Sequence, residues 1–323
     1  ILSKLETFLF WVEEYSLTSK ELSLFNTEKI PEELLNHYIN DVLIGTRGVS
    51  ETGISQHIMA LNAYYNYLDF NDLSVSKRLM VKPTYREAAR DNTKKRTAVK
   101  YLTPSLRSTL YRNTSNLRDE LLLRAMGELG CRSMECKGFL VDDFTIAGKT
   151  HKGLRTLFLD LVENTEKNEF EYYLQGKFSK SKNSAGGESR KLYFHRDLLL
   201  RFKKYFENER PQSKEQTFFL NDPANGEGSG IPISTKRPSK VFAQVRAKII
   251  EMQKNGLLDP EDQRLEEDHT GHVLRHSFGT DKFYKFSEEQ NIRIDDVTTT
   301  SSVYLAVASL MGHSANDRSA PQT

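Results

Sequence analysis

Cysteine is nearly absent from this chain. Two thiols, Cys131 and Cys136, in 323 residues are too few for a disulfide framework or a four-thiolate zinc site. They read as buried thiols of a reducing, cytoplasmic compartment. Long apolar runs are missing too: none approaches the ~18 residues that span a bilayer, and nothing near Ile1 has the pattern of a secretory signal. A chain that starts at Ile1 is expected to belong to a longer gene product. Nor does one sign of charge dominate, since 46 basic residues stand against 44 acidic ones for a net +2. Low-complexity excess is absent as well, which leaves a globular protein long enough for two domains with separate cores.

The charge that is present is unevenly spread. From Lys77 to Arg112 there are eleven Lys or Arg and only two acidic residues, Glu87 and Asp91. A second basic run, "GKFSKSKNSAGGESRKLYFHRDLLLRFKKYF", covers 176–206. Most such runs are solvated faces, but two separated ones in an otherwise balanced chain point to a polyanion partner.

The first 75 residues read as helices, in "LSKLETFLFWVEEYSL", in "IPEELLNHYINDVL" behind Pro31, and in "VSETGISQHIMALNAYYNYLDF" with Ser50 as cap. The stretch after them is basic, weakly periodic and punctuated by Pro83 and Pro104, and so reads as a connector. Helices are expected next at "PSLRSTLYRNTS" and "LRDELLLRAMGELG". Short strands are expected at "FTIAG", "TLFLDL", "FEYYLQGK" and "RKLYF", the last two joined across "SKNSAGGES" as a long hairpin. Further helices surround "SKVFAQVRAKIIEMQKNG", the histidine-rich stretch and "SVYLAVASLMGH". The expected fold is mainly α with a small antiparallel β-sheet, an α+β chain. It divides into a helical domain at 1–78, a basic linker at 79–100 and a mixed domain at 101–323.

In "EEDHTGHVLRHSFGT" three histidines, His269, His272 and His276, surround Arg275. His272 and His276 stand four apart, the spacing of a helical metal pair. No glutamate separates them, however, and Arg275 sets a permanent positive charge beside any cation, so no metal is expected. The other chemistry open to such a stretch is phosphoryl transfer, which needs fixed cations around the non-bridging oxygens, a proton donor for the leaving oxygen and an in-line nucleophile. Arginine suits the clamp, because its planar fork binds phosphate oxygens bidentately. The rest of the chain offers Arg132 with Glu135 three residues on, lysines in "KFSKSKNSAGG", and His313 in "LMGHS".

Taken in order, these pieces resemble the tyrosine recombinase (phage integrase) family. Its pattern of an arginine in G-x-R-x-x-E, a hairpin lysine, H-x-L-R-H and L-G-H-S is similar to Gly130–Glu135, Lys180 or Lys182, His272–His276 and Met311–Ser314. "YLTP" at 101–104 looks like the family's usual entry into its catalytic domain, and "SQHIMALNAYYNYL" resembles its helical core-binding module. The resemblance covers nearly the whole chain and is strongest after residue 100. It implies a DNA core-binding domain followed by a catalytic domain. Arg132 and Arg275 would clamp the scissile phosphate, Lys180 (alternatively Lys182) would protonate the leaving 5′ oxygen, His272 would assist proton transfer, and His313 would donate to the phosphate. Glu135 and His276 would be supporting residues, with His269 incidental. Lys77, Arg78, Lys82, Lys94, Lys95, Arg96 and Lys100 would follow the DNA backbone and make binding strongly salt-dependent.

The same resemblance implies a site-specific recombinase of mobile-element type, acting through a 3′-phosphotyrosine and a Holliday junction. It would work as a homo-tetramer on two double-stranded DNA sites, with no cofactor and no membrane. A type IB topoisomerase and a catalytically inactive DNA-binding relative are the alternatives. One departure stands out. The family's tyrosine falls about nine residues past the Gly-His histidine, where this chain has Gln322, and no tyrosine follows His313. The nucleophile is therefore expected after Thr323. Arg275→Ala is expected to abolish cleavage while largely sparing DNA binding.

Overall fold

The structure, a computed structural model, describes residues 2–17, 22–94, 100–179, 189–221, 228–259 and 261–313. The expected class holds: helices dominate, with two separate two-stranded antiparallel sheets. The chain divides into two compact units, Ile1–Ala98 and Val99–Thr323.

The first unit consists of α1 (Leu2–Ser16), α2 (Glu32–His37), α3 (Glu51–Phe70) and α4 (Pro83–Lys94). A π-helical stretch, Tyr38–Thr46, continues α2 without a break. Its core is aromatic. Phe8 and Trp11 of α1 pack on Tyr38, and Leu35, Leu61 and Tyr65 close around them, all buried. Ser50 caps α3 as its sequence suggests, accepting from the Gly53 amide at 3.4 Å.

After α3 the chain is strapped along α2 and its π-helical continuation by a row of side chains four residues apart. Glu32 accepts the Arg78 amide at 2.9 Å. Asn36 holds the Arg78 carbonyl at 3.0 Å and the Met80 amide at 2.9 Å. Asn40 does the same for the Met80 carbonyl at 3.1 Å and the Lys82 amide at 2.8 Å. The periods match, because four helical residues advance about 6 Å and two extended ones about 6.6 Å. Leu79 and Val81 turn inward onto the core, while Arg78 and Lys82 stay exposed.

The connector expected at 79–100 is therefore not featureless. Within it Pro83–Lys94 is a helix, which buries Ala89 and sends Asn92 to the Ile44 carbonyl at 3.2 Å. Tyr85 donates to Asp41. Pro83–Lys94 thus packs with the elements of the first unit, which spans Ile1–Ala98.

The second unit is built on α6 (Leu117–Glu128), which buries Leu121, Leu122, Leu123, Ala125 and Met126. A helix apolar on so many sides belongs inside a fold. Around it pack α5 (Pro104–Arg112), α8 (Arg196–Asn208), α9 (Arg237–Lys254) and α10 (His272–Glu289). Asn116 caps α6 through the Asp119 amide at 2.9 Å. The hairpin β1 (Phe144–Ile146) and β2 (Lys149–His151) precedes α7 (Leu154–Glu163). Strands β3 (Glu169–Leu174) and β4 (Arg190–His195) pair antiparallel, from Glu169 opposite His195 to Leu174 opposite Arg190. The last described helix, α11, spans Ser302–Met311.

One expected strand is a helix. "TLFLDL" lies within α7, where Leu154, Leu157, Phe158 and Leu161 are buried at helical spacing. The apparent alternation of Leu157, Leu159 and Leu161 was misleading, since Leu159 is 59% exposed. The second strand of the region is Lys149–His151 instead. The helix expected at "LRDELLLRAMGELG" is α6, and beyond it Cys131 precedes a short 3-10 turn at Ser133–Gly138 that contains Cys136, both thiols fully buried.

Candidate active site

The site begins where α6 ends. Gly130 has φ +64°, and a Cβ there would meet the Phe278 ring at 2.5 Å, so only glycine makes this turn. The turn leads into Arg132 and the 3-10 stretch that carries Glu135. Glu135 is completely buried. Its Oε2 accepts the Arg132 amide at 2.7 Å and Arg190 Nη2 at 2.6 Å, and Arg275 Nη1 lies 3.7 Å away. Its Oε1 accepts Arg132 Nη1 at 2.9 Å and Ser179 Oγ at 2.7 Å. Burial alone would raise this carboxyl's pKa, but Arg190, Arg275, the Arg132 amide and the Arg132 charge pull it down to about 2.

Three guanidiniums thus converge on one carboxylate, leaving a net charge of +2 among them. Arg275 is fully buried, donating through Nη1 to the Gly130 carbonyl and through Nη2 to the Met311 carbonyl. Burial, then the neighbouring Arg132 and Arg190 charges, lowers its pKa to about 9, so it stays charged at neutral pH. Arg132 is the most open of the three, its side chain 22% exposed against 5% for Arg190 and none for Arg275. Among the described residues, Arg190 Nε and Arg275 Nε have no hydrogen-bond partner. The cluster therefore carries excess positive charge with one guanidinium, that of Arg132, open to solvent, the make-up of an anion site.

Two histidines border it. His272 opens α10 and keeps part of its surface in solvent, while its ring meets His276 edge-on at 4.6 Å. The protein packed around it, then the charges of His276, Arg275, Arg132 and His313, hold its pKa down to about 4. Neutral at pH 7, it can take up a proton. His276 is half-buried, its pKa lowered by burial and by Arg275. His313 follows Gly312, whose left-handed backbone ends α11, and its amide reaches back to the Ala308 carbonyl at 2.9 Å. Gly312 and His313 border a cleft of about 550 Å³, together with Arg190, Lys191, Tyr173 and Tyr193.

Arg132, Glu135, His272, Arg275, His276 and His313 are therefore gathered in one region, as their order in the sequence suggested. Lys180 and Lys182 lie outside the described residues, but the segment holding them is flanked by Ser179 and Arg190, both on the Glu135 carboxylate. The Lys94 side chain, Lys95, Arg96 and everything past His313 also fall outside.

Of the remaining cations, Arg78 and Lys82 project from the strap of the first unit, and Lys77 Nζ sits 5.7 Å from the Tyr65 ring centroid. Lys100 is already engaged by Asp268 and Glu266. His269 is not merely incidental, since it is buried and its Nδ1 accepts the Glu266 amide at 2.9 Å. Among the described residues, Glu266, Asp268 and His269 are the group that brings three metal-type ligand atoms together, and the Lys100 ammonium already sits on its carboxylates. No described helix is long and apolar enough to cross a membrane.

Arg190 escaped sequence reading. The signal was faint but present: β4 alternates, and Arg190 occupies the same inward phase as Leu192 and Phe194. A cation at a buried strand position needs a partner, and here it finds Glu135.

No family model matches the chain, and no curated protein does. Among solved structures it is similar to a Tn1549 transposon integrase in complex with circular intermediate DNA, at 14% identity over 94% of this chain and 83% of that one, with a TM-score of 0.49. XerA recombinase is similar at 15% identity over 97% and 84%, with a TM-score of 0.41. A lambda integrase dimer bound to a COC′ core site is similar at 12% identity over 95% and 74%, with a TM-score of 0.44.

Proposed function

We propose that this chain is a DNA strand transferase of the tyrosine recombinase type, cutting and rejoining duplex DNA at specific sites. The observation that carries the reading is the clustered trio of buried Arg190 and Arg275 with the partly open Arg132, which outweighs the single carboxylate of Glu135. A fold gains nothing from collecting three guanidiniums where one counter-ion is available, but a site for a phosphodiester does.

In this mechanism Arg132, the most open of the three, and Arg275 hold the non-bridging oxygens of the scissile phosphate. The nucleophile in this mechanism is a tyrosine hydroxyl. Its oxygen bonds to phosphorus as the bond to the 5′ oxygen breaks. Neutral His272 takes up the tyrosine proton, and Lys180, or Lys182 beside it, delivers one to the 5′ oxygen. His313 donates to the phosphate, and Glu135 braces both arginines. The 3′-phosphotyrosine keeps the ester bond, so the 5′ hydroxyl of a partner strand reverses the step without a nucleotide cofactor. Two DNA sites and four protomers complete the exchange, and the exposed Arg78 and Lys82 contact the DNA backbone. Integrases bound to DNA among the similar solved structures accord with this partner.

The test is a duplex enriched from random sequence for binding to the full-length protein, then nicked so that cleavage traps a covalent adduct. Adducts on that duplex, lost in Arg132→Ala, support the reading. Binding without adducts leaves a DNA-binding protein only, and adducts on any duplex with relaxation of supercoiled plasmid point to a topoisomerase.

A further inference from the structure

We infer that Arg190 is a positioning residue of this site: its guanidinium ties the Gly130–Glu135 turn, the return strand of the hairpin and the end of α11 into one block, so that Arg132, Arg275 and His313 meet a single phosphate in register. The inference rests on the strand-transfer reading and extends it to a residue that takes no part in the chemistry.

Three contacts carry it. Nη2 bridges Glu135 Oε2 at 2.6 Å and the Gly130 carbonyl at 3.2 Å, fixing the turn that presents Arg132. Nη1 donates to the Leu310 carbonyl, one of the acceptors that a helix end leaves unsatisfied. Two residues later comes Gly312, packed so closely that a Cβ would lie 2.8 Å from Arg190 Cδ, and then His313. The strand itself does not need a cation here. Leu192 and Phe194 fill the same inward row with apolar side chains, and an apolar residue at 190 would avoid the cost of burying a charge. A guanidinium at this position therefore serves something other than the strand's own packing. It also sits two residues beyond the 180–188 segment, so the strand that follows the two candidate lysines is anchored on the same carboxylate as the phosphate-clamping arginines.

The experiment compares Arg190→Met and Arg190→Lys with the unchanged full-length protein on the nicked duplex described above. Misplacing catalytic groups by about an ångström costs about 100-fold in rate, and that loss is expected in single-turnover cleavage by Arg190→Met, with duplex affinity kept within about threefold. Arg190→Lys, which keeps the charge without the fork, is expected to recover about tenfold of the loss. Removing the arginine also takes away a charge that holds Glu135 ionised, so the Glu135 carboxyl, followed by NMR, is expected to titrate higher in Arg190→Met than in the unchanged protein.

Equal losses in binding and cleavage with an unmoved Glu135 titration would mean that Arg190 only supports folding, and no change in cleavage would overturn the inference directly. If Arg190→Met does not fold, the judgement rests on Arg190→Lys. If the unchanged protein forms no adduct at all, the strand-transfer reading fails separately. Arg190 is then judged by NMR of the labelled Glu135 carboxyl and the His313 ring. Titration and shifts that move together on substitution support the tie, and unmoved signals refute it.

Discussion

Replacing Glu135 with glutamine removes one charge and almost no volume, so it isolates what the carboxylate does. The group ordinarily titrates near 4.5 and here titrates at about 2. At roughly 1.4 kcal/mol per pH unit, that depression corresponds to about 3 kcal/mol of stability. The figure agrees with the cost of breaking a buried ion pair, about 3–5 kcal/mol. Because the folded pKa is depressed, the contribution is complete above pH 4.5 and is lost as the pH falls through 2. At pH 3 more than half of it has gone.

The assay is denaturant unfolding of the full-length protein and of Glu135→Gln at pH 7, 5, 4 and 3, read by far-ultraviolet circular dichroism. The gap between them is expected to be about 3 kcal/mol at pH 7 and 5, and to narrow to under half of that by pH 3. Sulfate offers a second arm. Glutamine leaves three guanidiniums without a counter-ion, so sulfate should stabilise the variant more than the parent. A gap below about 0.5 kcal/mol at pH 7, the usual size of a surface substitution, or one that ignores pH, would show that Glu135 does not hold the arginines together.

Gly312→Ala forces a side chain onto a left-handed residue and against Arg190. It should cost about 1–3 kcal/mol and lower adduct formation more than duplex binding, both measurable on the same preparation. His57 is buried in the first unit, and burial, then Lys4 and Arg47, lowers its pKa to about 4. Neutral in the fold, it stabilises that unit fully above its unfolded pKa of about 6.5, and the effect fades as the pH falls to 4. His57→Leu should flatten this acid sensitivity in the fluorescence of Trp11, the only tryptophan of the chain. Asn40→Ala strips the Met80 carbonyl and the Lys82 amide of their partner. The cost should be about 1–3 kcal/mol, with faster hydrogen exchange at Lys82.

What could be read from the sequence was what short spacing encodes. Arg132 with Glu135, and His272 with Arg275, lie within one turn of each other, so composition and order sufficed to suggest that they act together. Pairings between distant segments stayed hidden. Nothing near Lys100 announces Asp268 and Glu266, which engage it and make it a poorer backbone contact than its basic neighbourhood suggested. Helix α4 was missed because it buries little beyond Ala89 and is held instead by polar contacts from Tyr85 and Asn92. A helix secured that way carries no apolar stripe to detect. "TLFLDL" failed for the opposite reason, since its alternation is real in sequence but Leu159 points to solvent.

Arg275 shows where the site and the fold cannot be separated. Sequence reasoning treats it as a phosphate clamp whose removal should spare DNA binding. In the structure its guanidinium is fully buried and satisfies the Gly130 and Met311 carbonyls, at the end of α6 and the end of α11. Arg275→Ala would leave the buried Met311 carbonyl without a donor, at about 1–3 kcal/mol, leave the Gly130 carbonyl to Arg190 alone, and empty the volume of a large side chain. The expected result is a loss of several kcal/mol, with His313 released along with α11. Binding is then weakened together with cleavage, unlike in Arg132→Ala, where the side chain is partly open and no helix end depends on it. Arg275→Lys keeps the charge and reaches one carbonyl at best, so it should fold better than Arg275→Ala while cleaving almost as poorly. If Arg275→Ala unfolds at the same denaturant concentration as the parent, the guanidinium does not hold the two helix ends, and its burial would need another explanation.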